Sequence, residues 1–166
     1  TCEGFVYDMA ALSPTDATSW GISGYDGQLQ DFSPAYWDAV ADRIRDMLAD
    51  VDALNDGTDD SDDEDDFDDV DHVTAAVLRD RLSLEVDLHH HGEYLRMLNN
   101  IESPVQIIRD SFSLMPNETP EQLDEIRSRL SKVPAALAGY RESLTEAAAQ
   151  GQVAALRQVD AVISQC

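Results

Sequence analysis

A chain of 166 residues, 43% of them hydrophobic, is long enough for one domain that buries about two thirds of its unfolded surface without a metal or disulfides to hold it. Its 34 acidic residues face only 11 basic ones, and a formal net charge of −23 repels phosphate backbones and anionic lipid, which argues against nucleic-acid and peripheral membrane partners. No apolar run approaches the roughly 20 residues of a membrane helix. The stretch Thr1-Cys2-Glu3-Gly4-Phe5 has neither the basic start nor the apolar centre of a signal peptide.

Cys2 and Cys166, at the two ends, are too few for a disulfide framework and read as free thiols. A bridge between them would need the chain ends to meet within about 7 Å. Helix starts are marked four times by a hydroxyl residue followed by proline: Ser13-Pro14, Ser33-Pro34, Ser103-Pro104 and Thr119-Pro120. A hydroxyl at the N-cap accepts a bond from an orphan backbone N–H, and proline at the first helical position sacrifices none. Ser103 with Gln106 and Thr119 with Gln122 extend the mark to a capping box.

Gly21, Gly24 and Gly27 follow the first mark and predict a loop that uses positive φ. Phe5, Tyr7, Trp20, Tyr25, Tyr36 and Trp37 read as inter-helix packing in preference to a ligand box. From Pro34, the row Trp37, Val40, Ile44, Met47, Leu48, Val51 and Leu54 has helical spacing, with Asp38, Asp42, Arg45, Asp46 and Asp50 opposite. Asn55-Asp56-Gly57 ends that helix. Twelve of the acids lie between Asp52 and Asp71 with no base among them, and residues 56–68 predict a disordered acidic loop, Asp59 to Asp66 above all.

A second long helix is expected from Asp69 towards Asn99, through Val70, Val73, Val77, Leu78, Leu82, Leu88, Leu95 and Leu98, weakened at Gly92. A short helix runs from Pro104 to Met115. The next carries Leu123, Ile126 and Leu130, and Pro134 is expected to start another through Leu137, Tyr140 and Leu144. Gly151 reads as the residue just past its end, and a last helix, from Val153 to Cys166, holds Leu156, Val159, Val162 and Ile163. The fold class is all-α, a multi-helix array with long antiparallel helices. It is a single helical domain over 1–166 or the N-terminal region of a larger protein.

Chemistry-bearing motifs are scarce. His89-His90-His91 with Glu93 suggests a metal, but consecutive helical residues point about 100° apart, so three adjacent imidazoles cannot converge on one ion. No H-E-x-x-H spacing exists, and His72 is remote. Aligned on Gly57, a calcium loop would begin at Asp52, yet Leu54 would fill its third position and Asp63 its twelfth. There is no nucleophile elbow, phosphate-cradling loop, dinucleotide fingerprint or C-x-x-C pair. No catalytic, cofactor-binding or metal-binding residue is assigned.

Two stretches carry a resemblance. Trp20-Gly21-Ile22-Ser23-Gly24-Tyr25-Asp26-Gly27 with Asp31-Phe32-Ser33-Pro34 resembles the opening of the bacterial family called domain of unknown function 885. The series Leu78-Arg79-Asp80-Arg81-Leu82, Ser103 to Asp110, Phe112-Ser113-Leu114-Met115-Pro116, Thr119-Pro120-Glu121, Arg129-Leu130 and Pro134-Ala135-Ala136-Leu137 resembles its later signature. The resemblance covers almost the whole chain but only the N-terminal part of family members, which are several times longer. It implies a zincin-like architecture and zinc-dependent peptidase activity in the intact protein, on a helix bearing a His-Glu pair and a second His. That helix is not in this sequence, so no catalytic residue carries over and no cofactor belongs to these residues.

The chain then reads as an inert helical scaffold for such a peptidase. Its expected partners are the C-terminal catalytic region of the same protein or a second copy of the chain, with a peptide substrate for the whole. Leu137, Leu144, Leu156, Val159 and Ile163 are the expected interface, against the alternative that the last helix closes the domain's own core. The rival from another class is a free-standing acidic helical module that binds a basic protein.

Overall fold

The computed structural model describes residues 2–56 and 68–165, and among them the chain forms seven helices and no strand. They are α1 (Cys2–Leu12), α2 (Pro14–Trp20), α3 (Pro34–Asp56), α4 (Asp69–His90), α5 (Pro104–Leu114), α6 (Pro120–Ala149) and α7 (Leu156–Ile163). All four hydroxyl–proline marks open a helix at the proline. Thr119 completes its capping box: its Oγ1 accepts the Gln122 N–H at 3.3 Å, and Gln122 Oε1 accepts the Thr119 N–H at 3.0 Å. Ser103 does not cap α5. Its hydroxyl donates to the Gln106 side chain instead, and that amide donates on to Gln165 at 2.6 Å. Asp68 forms a further capping box at α4, accepting from the Val70 and Asp71 N–H groups at 2.7 and 2.9 Å.

The first core lies between α3 and α4. α3 buries Val40, Ile44, Met47 and Val51 along the expected row, with Leu48 half-buried and its carboxylates exposed opposite. A hydrogen bond and an ion pair fix the helices antiparallel: His89 meets Asp38 near the start of α3, and Arg79 meets Asp52 near its end at 2.7 Å. α1, which bears no start mark in the sequence, closes this core with Phe5, Met9 and Leu12. Arg43 lies over the Phe5 ring, 5.0 Å from its centroid.

α4 departs from expectation in two ways. It stops at His90, where Gly92 takes φ +69° and turns the chain, so Leu95 and Leu98 lie beyond the helix. Its apolar residues also occupy two faces. Ala75 and Leu82 are buried with Leu78 and Val86 beside them, whereas Val70, Val73, Val77 and Leu84 are exposed.

The second core gathers Phe32, Trp37, Ile108, Ala136 and Tyr140 where α3, α5 and α6 meet. Here Tyr36 and Trp37 pack as expected, but Tyr7 and Trp20 are about half exposed and, among the described residues, belong to no aromatic cluster. α6 runs unbroken through Pro134, which does not start a new helix. The proline leaves one carbonyl without its helical N–H, but buried Arg129, Ala136, Gly139, Tyr140 and Ser143 hold both halves in one register. Gly151 follows α6 at φ +77°, as its place in the sequence suggests. In α7, Val162 is buried and Val159 half-buried, while Leu156 and Ile163 are 75% and 66% exposed. Cys2 is exposed. Of the acidic loop expected over 56–68, Asp56 instead ends α3 and Asp68 caps α4; residues 57–67, the near-miss calcium loop that crosses them, and any pairing of Cys166 lie outside the described residues.

Candidate functional site

A cleft of about 260 Å³ opens where the first turn of α3 meets the C-terminal ends of α4 and α6. Trp37 and Asp38 reach it from α3, His89 and His90 from α4, Tyr94 from the following turn, and Glu146 from α6. Trp37 and Tyr94 stack at a centroid distance of 4.9 Å and an interplanar angle of 13°. Trp37 is only 8% exposed, and its indole N–H has no acceptor among the described residues. Tyr94 donates its hydroxyl hydrogen to Glu85. Burial first, and then that carboxylate, hold the Tyr94 phenol well above the ordinary tyrosine range, so it stays a donor.

The geometry fixes the tautomer of His89. Its Nδ1 lies 3.1 Å from Arg45 Nη2, and its Nε2 lies 2.9 Å from Asp38 Oδ1. A guanidinium can only donate, so Nδ1 is the acceptor and Nε2–H donates to the carboxylate. In this arrangement His89 carries a ring proton on Nε2 and offers Nδ1 to Arg45. Arg45 is itself engaged by Asp42 at 2.6 Å.

His90 and His91 do not share the contacts of His89. His91 Nδ1 donates to the Asp87 carbonyl of its own helix at 2.7 Å, and the His90 ring meets the His91 ring edge-on at 5.3 Å. Among the described residues no three His, Cys, Asp or Glu side chains group as metal ligands. The zinc implied by the resemblance does not fit here: both ring nitrogens of His89 are taken, and the neighbouring imidazoles diverge.

A second hollow, of about 310 Å³, lies between α2 and α5. It is lined by Asp16, Glu102 and Asp110, and burial, then Glu102, push the Asp16 carboxyl upward against the Ser13 hydroxyl. Asp110 there is paired with Arg109 at 2.7 Å. This hollow has no aromatic wall.

None of the cleft residues was marked as a site by its motif. Asp38 reads as one carboxylate of a polar helix face and Trp37 as inter-helix packing, and Glu146 belongs to no motif. They lie too far apart in sequence for spacing to connect them. The adjacent histidines were visible, but only the fold separates His89 from the other two.

No curated protein matches the chain. Residues 14–166 match the model of a family described as bacterial protein of unknown function (DUF885), and the chain belongs to that family.

Proposed function

We propose that these helices are a scaffold region of a zinc-dependent peptidase, inert by themselves, which packs on a catalytic region carrying the zinc ligands. The observation that carries this reading is the set of apolar side chains left in solvent. Leu156 and Ile163 on α7, Leu137 on α6, and the Val70, Val73, Val77 and Leu84 row on α4 are all exposed. Soluble monomers rarely leave contiguous apolar patches of more than a few hundred Å² uncovered, so such rows favour burial against further polypeptide. The family resemblance supports this reading, in which the zinc helix would lie outside these residues. The half-buried Leu144 and Val159 contribute less to such a face than their sequence positions suggest.

The net charge of −23 favours a second reading, a free-standing acidic module for a basic protein partner. The reading frame separates the two. A frame that continues for hundreds of residues and encodes a helix with a His-Glu pair and a second His supports the scaffold. A frame that ends at Cys166 supports the module.

A further inference from the structure

We propose that α6 of one copy of this chain docks antiparallel on α4 of a second copy, so that the protein associates head to tail. The contact goes beyond the scaffold reading and does not depend on where the zinc chemistry resides. Both helices carry an apolar row that repeats every seven residues and faces solvent. On α6 it is Leu123, Leu130 and Leu137, 42%, 58% and 41% exposed, with half-buried Leu144 next in line. On α4 it is Val70, Val77 and Leu84, 69%, 54% and 46% exposed. A seven-residue apolar repeat is the seam of a two-helix supercoil. Within one chain both helices pack on α3 and leave these rows uncovered.

Charge chooses the partner. The chain has 34 acids, yet none stands between Ile126 and Arg141. That stretch of α6 sets exposed Arg127 and Arg141 beside the leucines, and Arg141 has no carboxylate partner among the described residues. Exposed Asp69, Asp80 and Asp87 border the α4 row, with Arg81, 3.8 Å from Asp80, as the exception. An α6–α6 contact would gather the arginines of both copies, and an α4–α4 contact the aspartates, and like charges oppose each. Docking α6 on α4 brings opposite signs together.

One antiparallel register satisfies both patterns. With Arg127 opposite Asp87, Leu130 meets Leu84, Leu137 meets Val77 and Leu144 meets Val70. Arg127 is bonded to Asp124 of its own helix at 2.5 Å, and a guanidinium keeps donors to spare for Asp87. Arg141 falls opposite Val73, where its methylene stem covers the valine. Asp80 opposite Pro134 is the weakest layer.

The two faces differ, so each copy holds one neighbour on α4 and another on α6, and growth passes a dimer unless a ring closes. Sedimentation of the full chain tests this. Each copy carries −23, so the measurement is made in about 0.3 M salt, where charges are screened beyond about 6 Å. The unaltered chain should form species larger than a dimer as concentration rises. Leu130→Asp with Leu137→Asp, and separately Val70→Asp with Val77→Asp, should each sediment as a monomer. An equimolar mixture of these two variants should form a dimer and stop there, because each supplies the face the other lacks. Arg127→Asp should weaken association about threefold, as for an exposed ion pair, and adding Asp87→Arg to the same chain should restore it. Circular dichroism confirms that each variant folds, and if a double variant unfolds, the exchange of Arg127 and Asp87, both exposed, carries the test. An unaltered chain that stays monomeric, a single-face variant that still associates, a mixture that does not, or an exchange that restores nothing would overturn the contact.

Discussion

The Asp31 carbonyl occupies the space that a side chain at position 139 would need: a Cβ on Gly139 would overlap that oxygen. The contact is one tooth of a longer seam. Ser128 and Lys132 donate to the Gly27 carbonyl, and Ser143 donates to the Phe32 carbonyl at 2.7 Å. Phe32 is buried at φ +54°, a left-handed conformation that a side chain rarely takes and that this seam maintains. The loop before α3 is thereby laid along α6, which sets Pro34 and Trp37 at the cleft. Gly139→Ala should cost about 1–3 kcal/mol of stability through this overlap. Urea unfolding checks it, and a loss below about 0.5 kcal/mol, the surface-substitution range, would contradict the seam.

Arg129 anchors the other end of that loop. It is fully buried, and its Nη2 donates to Thr18 Oγ1 at 2.7 Å and to the Pro14 and Tyr25 carbonyls at 3.3 and 3.2 Å. Burial lowers its pKa, partly offset by Asp26 and Glu125, yet a guanidinium remains charged at any ordinary pH. Its Nε and Nη1 have no partner among the described residues, so the residue is retained despite a desolvation cost. Arg129→Ala removes a buried cation from between its acceptors and opens a cavity. It should cost about 3–5 kcal/mol, read by chemical denaturation.

The helices were legible wherever a start mark and a single apolar face coincide. α3 has both, and its buried row falls at the spacing seen in the sequence. α1 has the spacing Phe5, Met9, Leu12 but no hydroxyl–proline mark to announce it. Pro134 argues for a break, but packing on both sides of it overrides local preference. α4 misleads differently, because apolar residues on two faces look like one row when only the spacing is read. The cleft was illegible for a plainer reason: Asp38, His89 and Glu146 become neighbours only through the packing of three helices.

Tyr140 ties stability to alkaline pH. Its hydroxyl donates to the Met97 carbonyl at 2.8 Å, and burial pushes the phenol from 10.0 up to about 12, with the Ser103 hydroxyl acting the other way. The folded chain therefore holds a proton that the unfolded chain releases. The associated stability is complete below pH 10 and is lost as pH rises towards about 12. Tyr36 and Tyr94 shift in the same direction. The Tm should fall steadily across this window, and Tyr140→Phe should make the fall shallower. An unchanged slope in that variant would contradict the assignment.

Leu156→Asp with Ile163→Asp, and separately Val73→Asp with Val77→Asp, change side chains already in solvent. Each pair should shift the stability of this chain by no more than about 1 kcal/mol, as expected for surface positions. The same changes should reduce binding of a hydrophobic dye and any concentration-dependent association seen by sedimentation. Unfolding of either variant would show that those residues serve the domain's own core.

The scaffold reading stands or falls on where the chemistry resides. The decisive measurement is peptide hydrolysis by the 166-residue chain, stripped of metal and then reloaded with stoichiometric zinc. The account predicts no zinc-dependent turnover, because among the described residues no three candidate ligands group together. Zinc-dependent hydrolysis that is lost on His89→Ala, in a variant that still folds, would contradict it.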